Sequence, residues 1–152
     1  MPENKQIDLT KVPTEVLMSY YGHQYDRMGK LEDQRTAITN ITISLSVLAL
    51  TFGFNSATSF AEVVAFGLLA VMILANLFAI AYIVRTNSWI QTHELRAKGI
   101  LAARFNDLRE FDHQTHAKYG RWALSRWKIQ MYLHVLLLLL AIVMVILLAV
   151  YY

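Results

Sequence analysis

The chain has 152 residues, of which 56% are hydrophobic and 16% are charged, with a formal net charge of +3. This composition excludes a disordered chain, because disorder requires low hydrophobicity. The lack of cysteine excludes disulfide scaffolds, thiolate metal sites and cysteine nucleophiles. Two prolines and six glycines supply few of the turns that an all-β fold needs. We therefore expect a small helical membrane protein.

Three segments contain no Asp, Glu, Lys or Arg: residues 36–54, 63–84 and 129–152, of 19, 22 and 24 residues. A membrane-spanning helix needs about 20 such residues. A chain this short cannot bury three helices that are apolar on every side. The sequence predicts an all-α, polytopic membrane protein with three transmembrane helices and a helical cytoplasmic stalk.

The predicted helices form one membrane domain. The first covers 14–54 and starts beside Pro13, where Thr14 and Glu15 suit a first turn. One apolar face of its cytoplasmic part has spacings of three, four or seven: Leu17, Tyr21, Met28, Leu31 and Ile38. The second helix covers 63–111, a polar turn follows at 112–120, and the third helix covers 117–152.

The first span carries an unusual number of polar residues. One row contains Thr36, Asn40, Ser44 and Thr51, and a second row contains the small residues Thr42, Ser46, Ala49 and Gly53. An apolar stripe lies opposite them, formed by Ile38, Ile41, Leu45, Leu48 and Phe52. Two interpretations stay open: a water-lined pore, or association of helices through small and hydroxylated residues.

The most polar side chains within the spans are Asn40, Asn76 and His134. Counted from the inner ends of their spans, Asn40 and His134 are level, so they could form a hydrogen bond between their helices, and Asn76 is level with Ser44. His134 is the only histidine in any span, so two histidines cannot hold a haem within the membrane. We expect no cofactor.

A basic aromatic segment precedes the third span. Arginine and lysine there suit lipid phosphates, and tryptophan suits the membrane interface. The predicted lipid-interface residues are Arg121, Trp122, Arg126, Trp127 and Lys128.

The basic residues predict the orientation. All 14 lie in residues 1–35 and 85–128, and the loop 55–62 has none. The positive-inside rule then places the N-terminus in the cytoplasm and the C-terminus outside. The positive charge reflects this orientation, and we expect membrane lipids, but no nucleic acid, as partners.

No motif predicts catalysis. Phosphate-binding loops, dinucleotide fingerprints, zinc-protease motifs and nucleophile elbows do not occur in the sequence. His113 and His116 resemble a pair of metal ligands, but their polar surroundings favour a solvated turn. An Arg-x6-His spacing that joins Arg109 to His116 is too loose to indicate a ribonuclease. We expect neither an enzyme nor a metal site.

Tyr20, Tyr21, Tyr25 and the segment LEDQRTAITN (31–40) form a charged helix that runs into a Ser/Thr-rich span. In this architecture the chain resembles small helical membrane effectors of bacterial anti-phage defence systems. The resemblance implies an oligomeric protein of the bacterial inner membrane that perturbs the membrane or forms a pore. The alternative is a non-catalytic structural or assembly subunit of a larger membrane complex.

Overall fold

The computed structural model of the chain describes residues 8–53, 59–119 and 125–151, and no strand occurs among them. A short 3-10 helix, Leu9–Lys11, is followed by α1 (Thr14–Gly53), α2 (Ser59–Arg104), α3 (Asn106–Tyr119) and α4 (Arg126–Tyr151). The predicted all-α class is confirmed, because every element of the described residues is a helix. The three predicted spans are confirmed too, because α1, α2 and α4 are each long and apolar enough to cross a membrane.

The first helix starts where the sequence predicts. The Pro13 carbonyl accepts a hydrogen bond from the Leu17 N–H at 3.1 Å, and Glu15 lies in the first turn, where the helix dipole favours a negative charge. From there α1 continues for 40 residues to Gly53. The predicted last residue, Phe54, lies outside the described residues.

The second and third helices differ from the prediction. A single helix was expected over 63–111, but α2 ends at Arg104 and α3 continues from Asn106 to Tyr119. The Phe105 N–H still bonds to the Leu101 carbonyl at 2.8 Å, so the interruption is local. Residues 112–119 are helical, not a turn, because polarity alone does not break a helix and no Gly or Pro interrupts them.

The chain divides into two compact units, where the sequence predicted one domain. We call the first, Met1–Leu31 with Ser88–Ala123, the polar unit, and the second, Glu32–Asn87 with Leu124–Tyr152, the membrane unit. α1 and α2, with 40 and 46 residues, are both longer than a membrane-spanning helix requires. The N-terminal part of α1 and the C-terminal part of α2 belong to the polar unit.

The core of the membrane unit follows a seven-residue period. Covered positions alternate at spacings of three and four, the pattern of helices that pack along a continuous seam. On α2 these positions are Ala65, Leu69, Met72, Asn76, Ala79, Ile83 and Thr86. On α1 they are Arg35, Thr39, Thr42, Ser46 and Ala49. The α4 seam includes His134 and Ala141, both with no exposed surface.

The opposite helix faces are apolar and exposed. Phe52, Leu74 and Leu136 are 62%, 66% and 63% exposed. Only 28%, 28% and 11% of the most apolar windows of α1, α2 and α4 are buried within the chain. Apolar surface of this extent requires lipid or protein around it. The chain is therefore a small multi-pass membrane protein.

Candidate functional site

A buried polar cluster joins the three helices of the membrane unit. The Asn76 Nδ2 atom of α2 donates to the Ser46 Oγ atom of α1 at 2.9 Å and to the Met72 carbonyl at 2.9 Å. The Asn76 Oδ1 atom lies 2.8 Å from the His134 Nδ1 atom of α4. Ser46, Asn76 and His134 have no exposed surface. Each helix thus contributes one polar side chain to the cluster.

This geometry assigns the histidine proton. Because the Asn76 nitrogen makes two donor contacts, its oxygen is the acceptor, and the His134 Nδ1 atom must carry the hydrogen. In the neutral ring, the Nε2 atom is then an acceptor. Among the described residues this buried Nε2 atom has no hydrogen-bond partner. Buried polar atoms without partners are uncommon. Within the cluster, His134 is therefore the residue that can accept a further hydrogen bond.

Further polar side chains lie toward one end of the same unit. Arg35 on α1 is only 3% exposed, although it is charged, and its guanidinium lies 3.8 Å from the Glu32 carboxylate. Within the described residues, the Arg35 Nε, Thr39 Oγ1 and Gln130 Oε1 atoms are buried without hydrogen-bond partners. The sequence prediction missed Arg35, Thr39 and Thr86 as buried residues. The signal for their positions was a seven-residue spacing from other buried positions: Arg35 to Thr42, Thr39 to Ser46, and Ala79 to Thr86.

The predicted polar row of α1 lies on the exposed side of the helix. Thr36, Asn40 and Ser44 are exposed and, among the described residues, have no side-chain hydrogen bond within the chain. Thr51 is also exposed, but its hydroxyl donates to the Val47 carbonyl at 2.8 Å. The row of small residues, by contrast, contributes Thr42, Ser46 and Ala49 to the buried seam.

The hydrogen bond that equal depth would allow between Asn40 and His134 is not formed. His134 bonds to Asn76, and Asn40 is exposed. The sequence estimate counted depth from Ile129, the first residue after the last charge, but α4 begins at Arg126. The 2.8 Å contact between the His134 and Asn76 side chains places these two residues at the same depth.

Three of the predicted lipid-interface residues, Arg126, Trp127 and Lys128, lie in the first turn of α4. Arg126 and Lys128 are exposed, Trp127 is half-buried, and the Lys128 Nζ atom lies 5.8 Å from the centre of the Trp127 ring. Arg121 and Trp122 lie outside the described residues.

The predicted histidine pair belongs to α3. His113 is exposed, and the side chain of His116 lies outside the described part of the chain. No group of three or more His, Cys, Asp or Glu residues is placed to hold a metal ion among the residues that the structure describes.

Comparison of the chain with family models, with curated proteins and with solved structures finds no match. The membrane unit combines a buried, hydrogen-bonded connection between its helices with an exposed polar row on α1. The first arrangement holds the helices together, and the second is available to other molecules.

Proposed function

We propose that the chain is a small oligomeric protein of the bacterial inner membrane that perturbs or permeabilises the membrane without catalysis. One observation carries the proposal: Thr36, Asn40 and Ser44 are exposed on a membrane-spanning helix. Lipid tails cannot satisfy these polar groups. A second copy of the helix, or water in a lumen, can do so.

The position of the row on α1 supports a ring of subunits. At 100° per residue, Thr36, Asn40 and Ser44 occupy one side of the helix, adjacent to the buried seam. The stripe of Ile41, Leu45 and Leu48 is exposed on another side. A helix with one face toward its own chain, one toward lipid and one polar face is suited to line a shared path.

The alternative function is a non-catalytic structural subunit of a larger membrane complex. The same exposed asparagine favours it, because amides and hydroxyls also hold neighbouring helices together. In that case, the polar row contacts protein and no water enters. The two functions therefore differ in whether Ser44 is accessible to water.

Single cysteines distinguish the two functions cleanly, because the chain contains no cysteine. Ser44→Cys is placed on the polar row, and Leu45→Cys, its neighbour on the apolar stripe, is the matched control. With a pore, water-soluble thiol reagents modify Ser44→Cys quickly and Leu45→Cys slowly. A structural subunit gives efficient cross-linking between copies or to a partner at position 44, without modification by these reagents.

Vesicle leakage tests the activity itself. Purified protein in vesicles loaded with a small dye is expected to release it, and Asn40→Leu is expected to abolish the release. Ile41→Leu changes the adjacent exposed residue conservatively and should leave release unchanged. No release by the wild-type protein under any condition, or equal release by Asn40→Leu, contradicts the pore.

The cellular setting is part of the proposal. The 14 basic residues favour a cytoplasmic N-terminus and an external C-terminus. A reporter fused after Tyr152 and active only outside the cytoplasm is the expected result. The resemblance to anti-phage effectors predicts that induced expression depolarises the membrane and arrests growth. Harmless co-purification with one fixed partner would instead support the structural subunit.

A further inference from the structure

An open groove lies between α1 and α2 within the polar unit. It encloses about 500 Å³, within the range of small-molecule sites. The sequence prediction did not identify it. Its lining residues are Tyr20, His23, Gln24 and Arg27 from α1, and Trp89, Thr92, His93 and Arg96 from α2.

The two helices contribute the same pattern. Each supplies an aromatic residue, two polar residues three and four positions later, and an arginine seven positions later. This spacing places all four residues on one helix face. The His93 Nδ1 atom donates to the Gln24 Oε1 atom at 2.7 Å in the middle of the groove.

Register places an arginine beside an aromatic ring at each end. The Gln24–His93 bond and the Arg104–Thr14 bond at 3.3 Å show that the helices run antiparallel here. Tyr20 is four residues before Gln24, and Arg96 is three after His93, so these two are level. By the same count, Arg27 is level with Trp89. The two arginines are about 10 Å apart along the helices, at 1.5 Å per residue.

The charge of the groove has one sign. Two arginines line it and no carboxylate does. The Arg27 Nε atom donates to the His23 Nε2 atom at 3.5 Å, and neither Arg27 nor Arg96 forms an ion pair with a described residue. The nearby carboxylate of Glu94 is bound by Lys98. Burial, and then electrostatic interaction with Arg96, Arg27 and His23, lowers the pKa of His93 in this groove.

We propose that this groove binds a small, soluble, phosphate-bearing anion with at least two negative charges. Planar guanidinium groups bind phosphate oxygens through paired hydrogen bonds. His23, Thr92 and His93 supply further polar groups between the two arginines. The exposed rings of Tyr20 and Trp89 offer flat apolar surface to the remainder of the ligand.

Sequence distance favours a soluble ligand over a lipid headgroup. Arg27 is nine residues before the first apolar segment, and Arg96 is 12 residues after Val84. Along a helix, these separations are about 13 and 18 Å. The headgroup layer extends only about 5 to 8 Å beyond the hydrocarbon on each side. This binding site is independent of whether the membrane unit forms a pore.

Calorimetry on the full chain in phosphatidylcholine nanodiscs tests the proposal, with pyrophosphate and adenosine diphosphate as the two probes. Binding of at least one probe is expected. Arg27→Gln and Arg96→Gln should each weaken it about tenfold or more, the scale of a charged hydrogen bond. Lys30→Gln removes the same charge one turn from Arg27, outside the groove, and should change affinity less than threefold. Trp89→Leu should weaken the binding of adenosine diphosphate more than the binding of pyrophosphate, because only the former has a base that can stack on the indole ring.

Three results would overturn the proposal. The first is no binding of either probe by wild-type protein whose circular dichroism shows an intact helical fold. The second is equal weakening by Lys30→Gln and Arg27→Gln, which would indicate a diffuse field without a site. In the third, neither soluble probe binds, but phosphatidylglycerol in the nanodisc binds the protein and this binding depends on Arg27 and Arg96. That result would assign the groove to a lipid headgroup.

Discussion

His134 donates its Nδ1 proton to the Asn76 Oδ1 atom across 2.8 Å, and neither side chain is exposed. Since Asn76 also donates to Ser46, one asparagine is bonded to both of the other membrane helices. In hydrocarbon, no water replaces a lost partner. The stability of the membrane unit should therefore be most sensitive to loss of the amide group of Asn76.

Asn76→Leu is expected to lower the free energy of unfolding in detergent by about 1 to 3 kcal/mol, because it leaves the buried His134 N–H without an acceptor. Asn40→Leu is the matched control: its amide is exposed and unbonded within the chain, so the monomer should lose less than about 0.5 kcal/mol. Unfolding of the monomeric protein by denaturant, followed by circular dichroism, measures both. Equal stabilities of the two variants would show that the cluster is energetically unimportant.

Ala141→Leu should destabilise the membrane unit by about 1 to 3 kcal/mol, since Ala141 is fully buried in the core with Ala49, Leu69 and Met72. Ala149→Leu inserts the same side chain at an exposed position of α4 and should be close to neutral. Thermal unfolding in detergent compares them. A neutral Ala141→Leu variant would mean that the helices do not pack closely at this position.

Arg35→Met is expected to be at least as stable as the wild-type protein. Arg35 is buried and its Nε atom lacks a hydrogen-bond partner among the described residues, where its ion-pair partner is Glu32 at 3.8 Å. An apolar side chain of similar length avoids the cost of burying the charge. Lys30→Met, at an exposed position five residues earlier on α1, is the control. A loss of more than about 2 kcal/mol in denaturant unfolding would show that Arg35 has a strong structural role.

The stability of the polar unit should decrease in mild acid. The folded-state pKa of His93 is lowered by burial, by Arg96 and Arg27, and by His23, so the unfolded chain binds a proton more readily. This contribution is fully present above the ordinary histidine pKa of about 6.5 and is lost as the pH falls below it. His93→Gln removes the titrating ring and keeps an amide donor near Gln24.

Melting temperatures at pH 7.5 and 5.5 test this prediction, and His93→Gln should reduce the difference between them. His113→Gln removes an exposed histidine of α3 and should retain the wild-type difference. If both variants behave alike, His93 is not the residue responsible.

Hydropathy was sufficient to predict the three spans, because each is free of charge over about the thickness of a bilayer. The partner of His134 was not predictable in the same way. Depth counted from the last charged residue omitted the first turn of α4, where Arg126 and Lys128 are already helical. Long cationic side chains at a helix end reach the headgroups, so the first turn of a membrane helix can carry charged residues.

The groove of the polar unit was visible in the sequence only as two separate segments. Tyr20 to Arg27 and Trp89 to Arg96 share one spacing, but they are more than 60 residues apart. Only the antiparallel register of α1 and α2, seen in the bond between Gln24 and His93, brings the two patterns together. Periodicity identifies a helix face, whereas the partner of that face depends on long-range packing.

The connection of Ser46, Asn76 and His134 also orders the biogenesis of the protein. Ser46 and Asn76 are synthesised 88 and 58 residues before His134. The Asn76 oxygen therefore enters the bilayer with its final donor not yet translated, and the membrane unit matures only when the last helix is inserted. A ribosome that stops before α4 leaves a product with two membrane helices, in which the Asn76 amide oxygen lacks its His134 donor.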